Sequence, residues 1–115
     1  MQLEEITNAK IIQIMPAPPG WEAVWGDSYE PTKGEAGFRT ELVACWALVE
    51  VNNRRLVTSM LPDLESGELR MLVENEYFLG YRYPSETSTN WTQRATERRT
   101  TVDQQLSKTD PTPHT

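Results

Sequence analysis

Trp21 and Trp25, in the stretch "GWEAVWGD", are the side chains best suited to hold a ligand. On a strand, alternate residues share a face, so Trp21, Ala23 and Trp25 line one side while Glu22 and Val24 line the other. Two indoles on one face present flat π surface to a planar ligand or to a partner's side chain. Tyr29 lies just beyond, and Arg39 is the nearest arginine able to add an anion contact, with Arg54 and Arg55 following at a later turn. If Trp21, Trp25, Tyr29 and Arg39 converge, a small anionic or nucleotide-like ligand fits. The competing expectation is that the indoles cap the core.

Other chemistry finds little to work with. The one histidine, His114, stands second from the end in "PTPHT", where order is least expected. That argues against Ser-His and Cys-His nucleophile schemes and against a zinc site. Neither a "GxxxxGK[ST]" nor a "GxGxxG" loop occurs. Glu74 and Glu76 in "VENEY" share a face if extended, a pair suited to acid–base work or a divalent cation and far more often plain surface. No catalytic residue, metal site or cofactor is therefore expected, and the chain reads as noncatalytic.

The bulk properties agree. The 115 residues suit one domain, and the apolar share of 37% is low. The deficit sits in the tail from Pro84, where Trp91, Ala95, Val102 and Leu106 are the apolar residues. The body, residues 1–83, carries seven basic against thirteen acidic side chains and accounts for the whole net charge of −6. An acidic body repels phosphate, which argues against nucleic-acid binding. Cys45 is the single cysteine, so no internal disulfide forms, and within an apolar run it acts as a small hydrophobe. No stretch reaches the length of a membrane span and "MQLEEITNAK" does not resemble a signal peptide, so a cytoplasmic location is expected.

The elements that must position these residues are short strands. An N-terminal arm (1–9) precedes "KIIQIMP", a β-branched strand ended by proline. After "PAPPG" come the tryptophan strand and a long polar loop, "DSYEPTKGEAGF". A third strand, from about Arg39 to Val51, turns at Asn52–Asn53 into a fourth from Arg54 to Leu61. Residues 69–83 form one bent strand or two short ones, with Tyr77, Leu79, Tyr81 and Tyr83 on one face and Gly80 at a bulge or bend. The expected fold is all-β: a small antiparallel barrel or roll of SH3-like size, with five to six strands over 10–83.

The run Leu42 to Val49 is apolar at all eight positions. One side (Val43, Cys45, Ala47, Val49) would face the barrel core. The other (Leu42, Ala44, Trp46, Leu48) would then need a lid from the arm, the tail or another copy of the chain. Leu42, Trp46 and Leu48 are accordingly expected to bind a protein partner or to make a homo-oligomer. The tail, residues 84–115, reads as polar, flexible and largely disordered. Its alternative is a helix over 91–106, begun by Asn90 and Gln93 and anchored on a partner by Trp91.

The phrases "IIQIMPAPPGWEAVW", "VACWALVEV" and "YFLGY" resemble those of small uncharacterised all-β proteins of bacterial phage and prophage genomes, over residues 10–83. The resemblance carries no site residues. It implies an accessory protein that binds and blocks a host component. The sequence thus supports a binding module that engages a protein or itself. The alternative is a nucleotide- or anion-sequestering protein with its site at Trp21 and Trp25.

Overall fold

A computed structural model describes residues 1–30, 32 and 34–108. A four-residue helix, α1 (Leu3–Ile6), is followed by β1 (Lys10–Pro16), β2 (Glu22–Glu30), β3 (Glu35–Leu42), β4 (Cys45–Val51), β5 (Arg54–Pro62), β6 (Leu69–Met71) and β7 (Phe78–Arg82). The chain then forms a helix, α2 (Trp91–Lys108). The strands make two antiparallel sheets, ordered β1-β4-β5-β6 and β3-β2-β7. The expected antiparallel β character holds, but in place of a small barrel or roll of five to six strands the described residues form seven strands in two sheets that do not close into a barrel, with a C-terminal helix added.

The apolar run is where the chain changes sheet. Leu42 ends β3, Val43 and Ala44 turn the corner, and Cys45 opens β4. Both corner amides are satisfied, Val43 N–H by the Trp21 carbonyl and Ala44 N–H by the Met60 carbonyl, each at 2.9 Å. A continuous strand from Arg39 to Val51 does not form. Past the corner the strand is buried on alternate positions: Cys45, Ala47, Val49 and Val51 point one way and are covered.

The N-terminal arm is their lid. Met1, Ile6 and Ala9 pack on Cys45, Ala47, Val49 and Met60. The arm is held by Arg54 to Glu5, by the N-terminal ammonium to Glu74 at 3.0 Å, and by Glu74 N–H to the Met1 carbonyl at 2.9 Å. The opposite face of β4 meets the second sheet, in a core of Ala23, Trp25, Val43, Leu61 and Leu72 that Trp21, Trp46, Phe78 and Tyr81 border. The lid over Trp46 is the β3-β2-β7 sheet, whereas Leu48 is half-buried and Leu42 and Ala44 stay exposed at the corner.

Two turns follow local chemistry. Asn52 (φ 50°) and Asn53 (φ 63°) both take the left-handed conformation that a tight β4–β5 hairpin demands. Gly80 (φ 133°) sits where Val24 pairs with Gly80 but Trp25 pairs with Phe78, leaving Leu79 as the extra residue of a bulge. The bulge breaks the expected alternation. Phe78 and Tyr81 turn into the core between the sheets, whereas Leu79 lies against the Gly26 position on the other side.

That other side belongs to α2. Trp91, Ala95 and Val102 are buried, and a Cβ placed on Gly26 would come within 3.1 Å of the Ala95 Cβ. Helix and sheet thus touch closely because two small residues meet. Asn90 Oδ1 caps the helix by accepting from Gln93 N–H at 3.0 Å, while the Gln93 amide turns to Glu97 instead of closing a capping box. The segment expected to be largely disordered is helical and docked over Trp91–Lys108. His114 and the rest of 109–115 lie outside the described residues.

Candidate protein-interaction surface

The expected ligand platform is built into the core. The Trp25 residue is only 3% exposed, its ring 5.2 Å from Phe78. Trp21 is half-buried, 4.3 Å from Tyr83 and 5.7 Å from Trp46 in an edge-on arrangement. Trp46 in turn meets Tyr81 at 5.0 Å, and Tyr81 meets Phe78 at 5.3 Å. Five of these rings line the core between the sheets, and exposed Tyr83 extends the chain outward from Trp21, with the offset contacts that aromatic quadrupoles favour. The buried Ser59 hydroxyl pairs with the Tyr81 hydroxyl at 2.8 Å, and burial pushes the Tyr81 phenol above its ordinary pKa.

Arg39 does come to Trp25, its guanidinium carbon 5.1 Å from the ring centroid. It is, however, already paired. Asp27 accepts from Nε at 2.7 Å and from Nη2 at 2.9 Å, and Glu41 accepts from Nη1 at 2.6 Å. The hydrogen bonds to Asp27, against some desolvation, raise the Arg39 pKa further. Glu41 also accepts from Arg70 of β6 at 2.7 Å, so the four charges tie one sheet to the other across the open edge of the core. An incoming anion would have to displace carboxylates already in place. Tyr29 stands apart, exposed near the end of the β2–β3 hairpin.

The residues expected to meet a partner separate likewise. Trp46 is occupied by Trp21 and Tyr81, Leu48 is half-buried, and Trp91 is 6% exposed beneath Arg94. Leu42 alone of the four stays largely exposed. It borders a shallow hollow of about 220 Å³ with Thr40, Glu41, Pro62 and the almost fully exposed Leu64.

Among the described residues, the longest run of exposed apolar side chains lies on β1, outside the residues expected to bind. In β1, Ile11, Ile12 and Ile14 are 41%, 40% and 53% exposed. The strand pairs with β4 on one side and ends the sheet on the other. Natural sheets usually protect such an edge with charges or by keeping it short. Of the other edges, β6 has three residues, β3 carries Glu35, Arg39 and Glu41, and the five residues of β7 are all only half-exposed. Seven-residue β1 holds no acidic residue and one base, Lys10, at its start. The sequence signal was present in "KIIQIMP", three isoleucines without alternation, but edge position is a property of topology.

The turn before α2 carries the largest titration anomaly. The Ser88 hydroxyl, helped by the Thr89 and Ser88 N–H groups, outweighs an opposing desolvation and holds the Glu86 carboxyl down to about 2, from an ordinary 4.5. Because the folded value lies below the unfolded one, the turn's contribution is complete above about pH 4.5 and is lost as pH falls toward 2. A carbon-detected NMR titration should find the Glu86 midpoint near 2, and Ser88→Ala should move it up toward 4.5.

Among the described residues no helix is long and apolar enough to cross a membrane. No protein-family model, curated protein or solved structure matches the chain.

Proposed function

We propose that this chain is a noncatalytic protein-binding module whose binding element is the outer edge of β1. One observation carries this reading: a seven-residue strand with three exposed isoleucines and no acidic side chain lies at the open end of a sheet in a chain of net charge −6. Such an edge offers a partner strand unpaired main-chain groups, with apolar side chains to set register. The rings of Trp21, Trp25 and Trp46 then serve to hold the scaffold rigid behind it. The phage-type setting rests on the strand phrases of residues 10–83 and makes a bacterial host component the natural partner class.

The test is capture from bacterial lysate on immobilised full-length chain. The double variant Ile12→Lys/Ile14→Lys should lose the captured protein, since a charge buried against an apolar strand has no partner. Leu64→Ser, which changes an exposed apolar residue elsewhere, should keep it. Capture unaffected by the two lysines, with folding verified by circular dichroism, refutes the assignment to β1.

A further inference from the structure

We infer that the hollow between α2 and β7 is a binding site for a small ligand that carries an oxyanion on an apolar group. This site is independent of the β1 edge. Phe78 and Leu79 of β7 line one side of it; Arg94, Glu97, Arg98 and Thr101, a single stripe of α2 at helical spacing, line the other.

The state of the arginines carries the assignment. In this acidic chain an arginine usually has a carboxylate partner: Arg39, Arg54, Arg55, Arg70 and Arg82 each pair with one, and Arg99 lies 3.8 Å from Asp103. Among the described residues Arg94 and Arg98 form no such pair, and both border the same hollow.

Both are also held in place. The Arg98 Nε donates to the Glu76 carbonyl at 2.6 Å, which fixes the guanidinium and leaves its Nη groups without an acceptor among the described residues. The Arg94 guanidinium carbon stands 5.0 Å from the centroid of the buried Trp91 ring, and its side chain makes no hydrogen bond among the described residues. A guanidinium already in position loses little freedom when its planar fork meets carboxylate or phosphoryl oxygens. Two of them, one helical turn apart, can grip one oxyanion.

The rest of the hollow sets the ligand's size and character. Its volume, about 270 Å³, falls under the range of about 300–1,000 Å³ that takes drug-sized ligands, so the occupant is small. Phe78 and Leu79 are half-buried and offer apolar contact beside the charges. Thr101 adds no donor, since its hydroxyl already donates to the Glu97 carbonyl at 3.0 Å. The Glu97 carboxylate accepts from the Gln93 amide at 3.2 Å and opposes an anion in the same hollow. That opposition supplies a control of reversed sign.

A nuclear magnetic resonance titration of the isotope-labelled full chain decides the matter. The probes are phenyl phosphate, benzoate and inorganic phosphate, in about 0.15 M sodium chloride to screen diffuse attraction. Phenyl phosphate or benzoate should shift the Leu79, Arg94 and Arg98 amides saturably, and the tighter of the two names the oxyanion as phosphoryl or carboxylate. Inorganic phosphate, which lacks the apolar group, should bind at least about threefold more weakly than that probe. Arg94→Gln should weaken binding by about tenfold, and Glu97→Gln should strengthen it severalfold. Arg55→Gln, at an exposed arginine of β5, should leave it unchanged. Arg94 is the better choice because Arg98→Gln would also lose the Glu76 contact; circular dichroism verifies that the helix persists. Absence of saturable shifts with both aromatic probes, inorganic phosphate binding as tightly as either, or an affinity indifferent to Arg94→Gln and Glu97→Gln overturns the site.

Discussion

Trp25→Ala should cost about 3–5 kcal/mol, the range for deleting a large aromatic side chain from a packed core. Its ring lies on Phe78, beneath Arg39, in one cluster with the fully buried Leu61 and Leu72. Domains of this size have a total stability of about 5–15 kcal/mol, so the variant should be close to unfolding at ambient temperature. In urea the midpoint should fall sharply with the slope unchanged, since the surface exposed on unfolding is nearly the same. Tyr29→Ala, at an exposed position, should stay within about 0.5 kcal/mol. The pair separates two roles for the tryptophan strand. An indole serving as a ligand platform would be dispensable for stability, and full retention of the urea midpoint in Trp25→Ala would refute its place in the core.

The sequence disclosed what depends on local chemistry. The extent of β1 follows from its β-branched run and closing proline, and the β4–β5 turn from two asparagines that tolerate positive φ. It concealed what depends on distant segments. Leu42 to Val49 reads as one uninterrupted run because it spans a sheet-switching corner: Val43 and Trp46 pack in one cluster and Cys45, Ala47 and Val49 in the other, while Leu42 and Ala44 stay exposed. The only local hint was length: Arg39 to Val51 exceeds the usual strand of 3–10 residues. The β2–β3 hairpin was hidden because β3 is charged on its inner edge, where Arg39 and Glu41 form the ion ladder with Asp27 and Arg70. For the binding surface, the aromatic residues drew attention by type, but rings that could stack a ligand also stack each other. Which strand lies at an edge is decided by pairing, and no residue type announces it.

Trp91→Ala should remove a similar amount, about 3–5 kcal/mol, but from a different part of the molecule. The docking of α2 depends on Trp91, Ala95 and Val102, of which the indole is by far the largest. Polar contacts assist: Arg98 Nε donates to the Glu76 carbonyl at 2.6 Å, and Arg99 lies 5.8 Å from the Tyr77 ring centroid. Without the indole, burial of one valine and one alanine yields only about 2 kcal/mol. An isolated helix of 18 residues with several threonines is marginal in water. The helix should therefore melt while the sheets persist. Amide exchange should show protection lost across residues 95–106 and retained at Ala47 and Val49. Equal loss at both places would mean that α2 and the sheets unfold as one unit. Trp91→Phe should cost a fraction as much, because it keeps a ring and removes the indole N–H, which is buried with no hydrogen-bond acceptor among the described residues. Undocking would bare Val24 and the Gly26 cleft on the face of the sheet opposite Trp25, a second apolar surface that the native helix keeps dry. In this chain the helix is thus its own lid, and Trp91 is the anchor by which it folds onto the sheet.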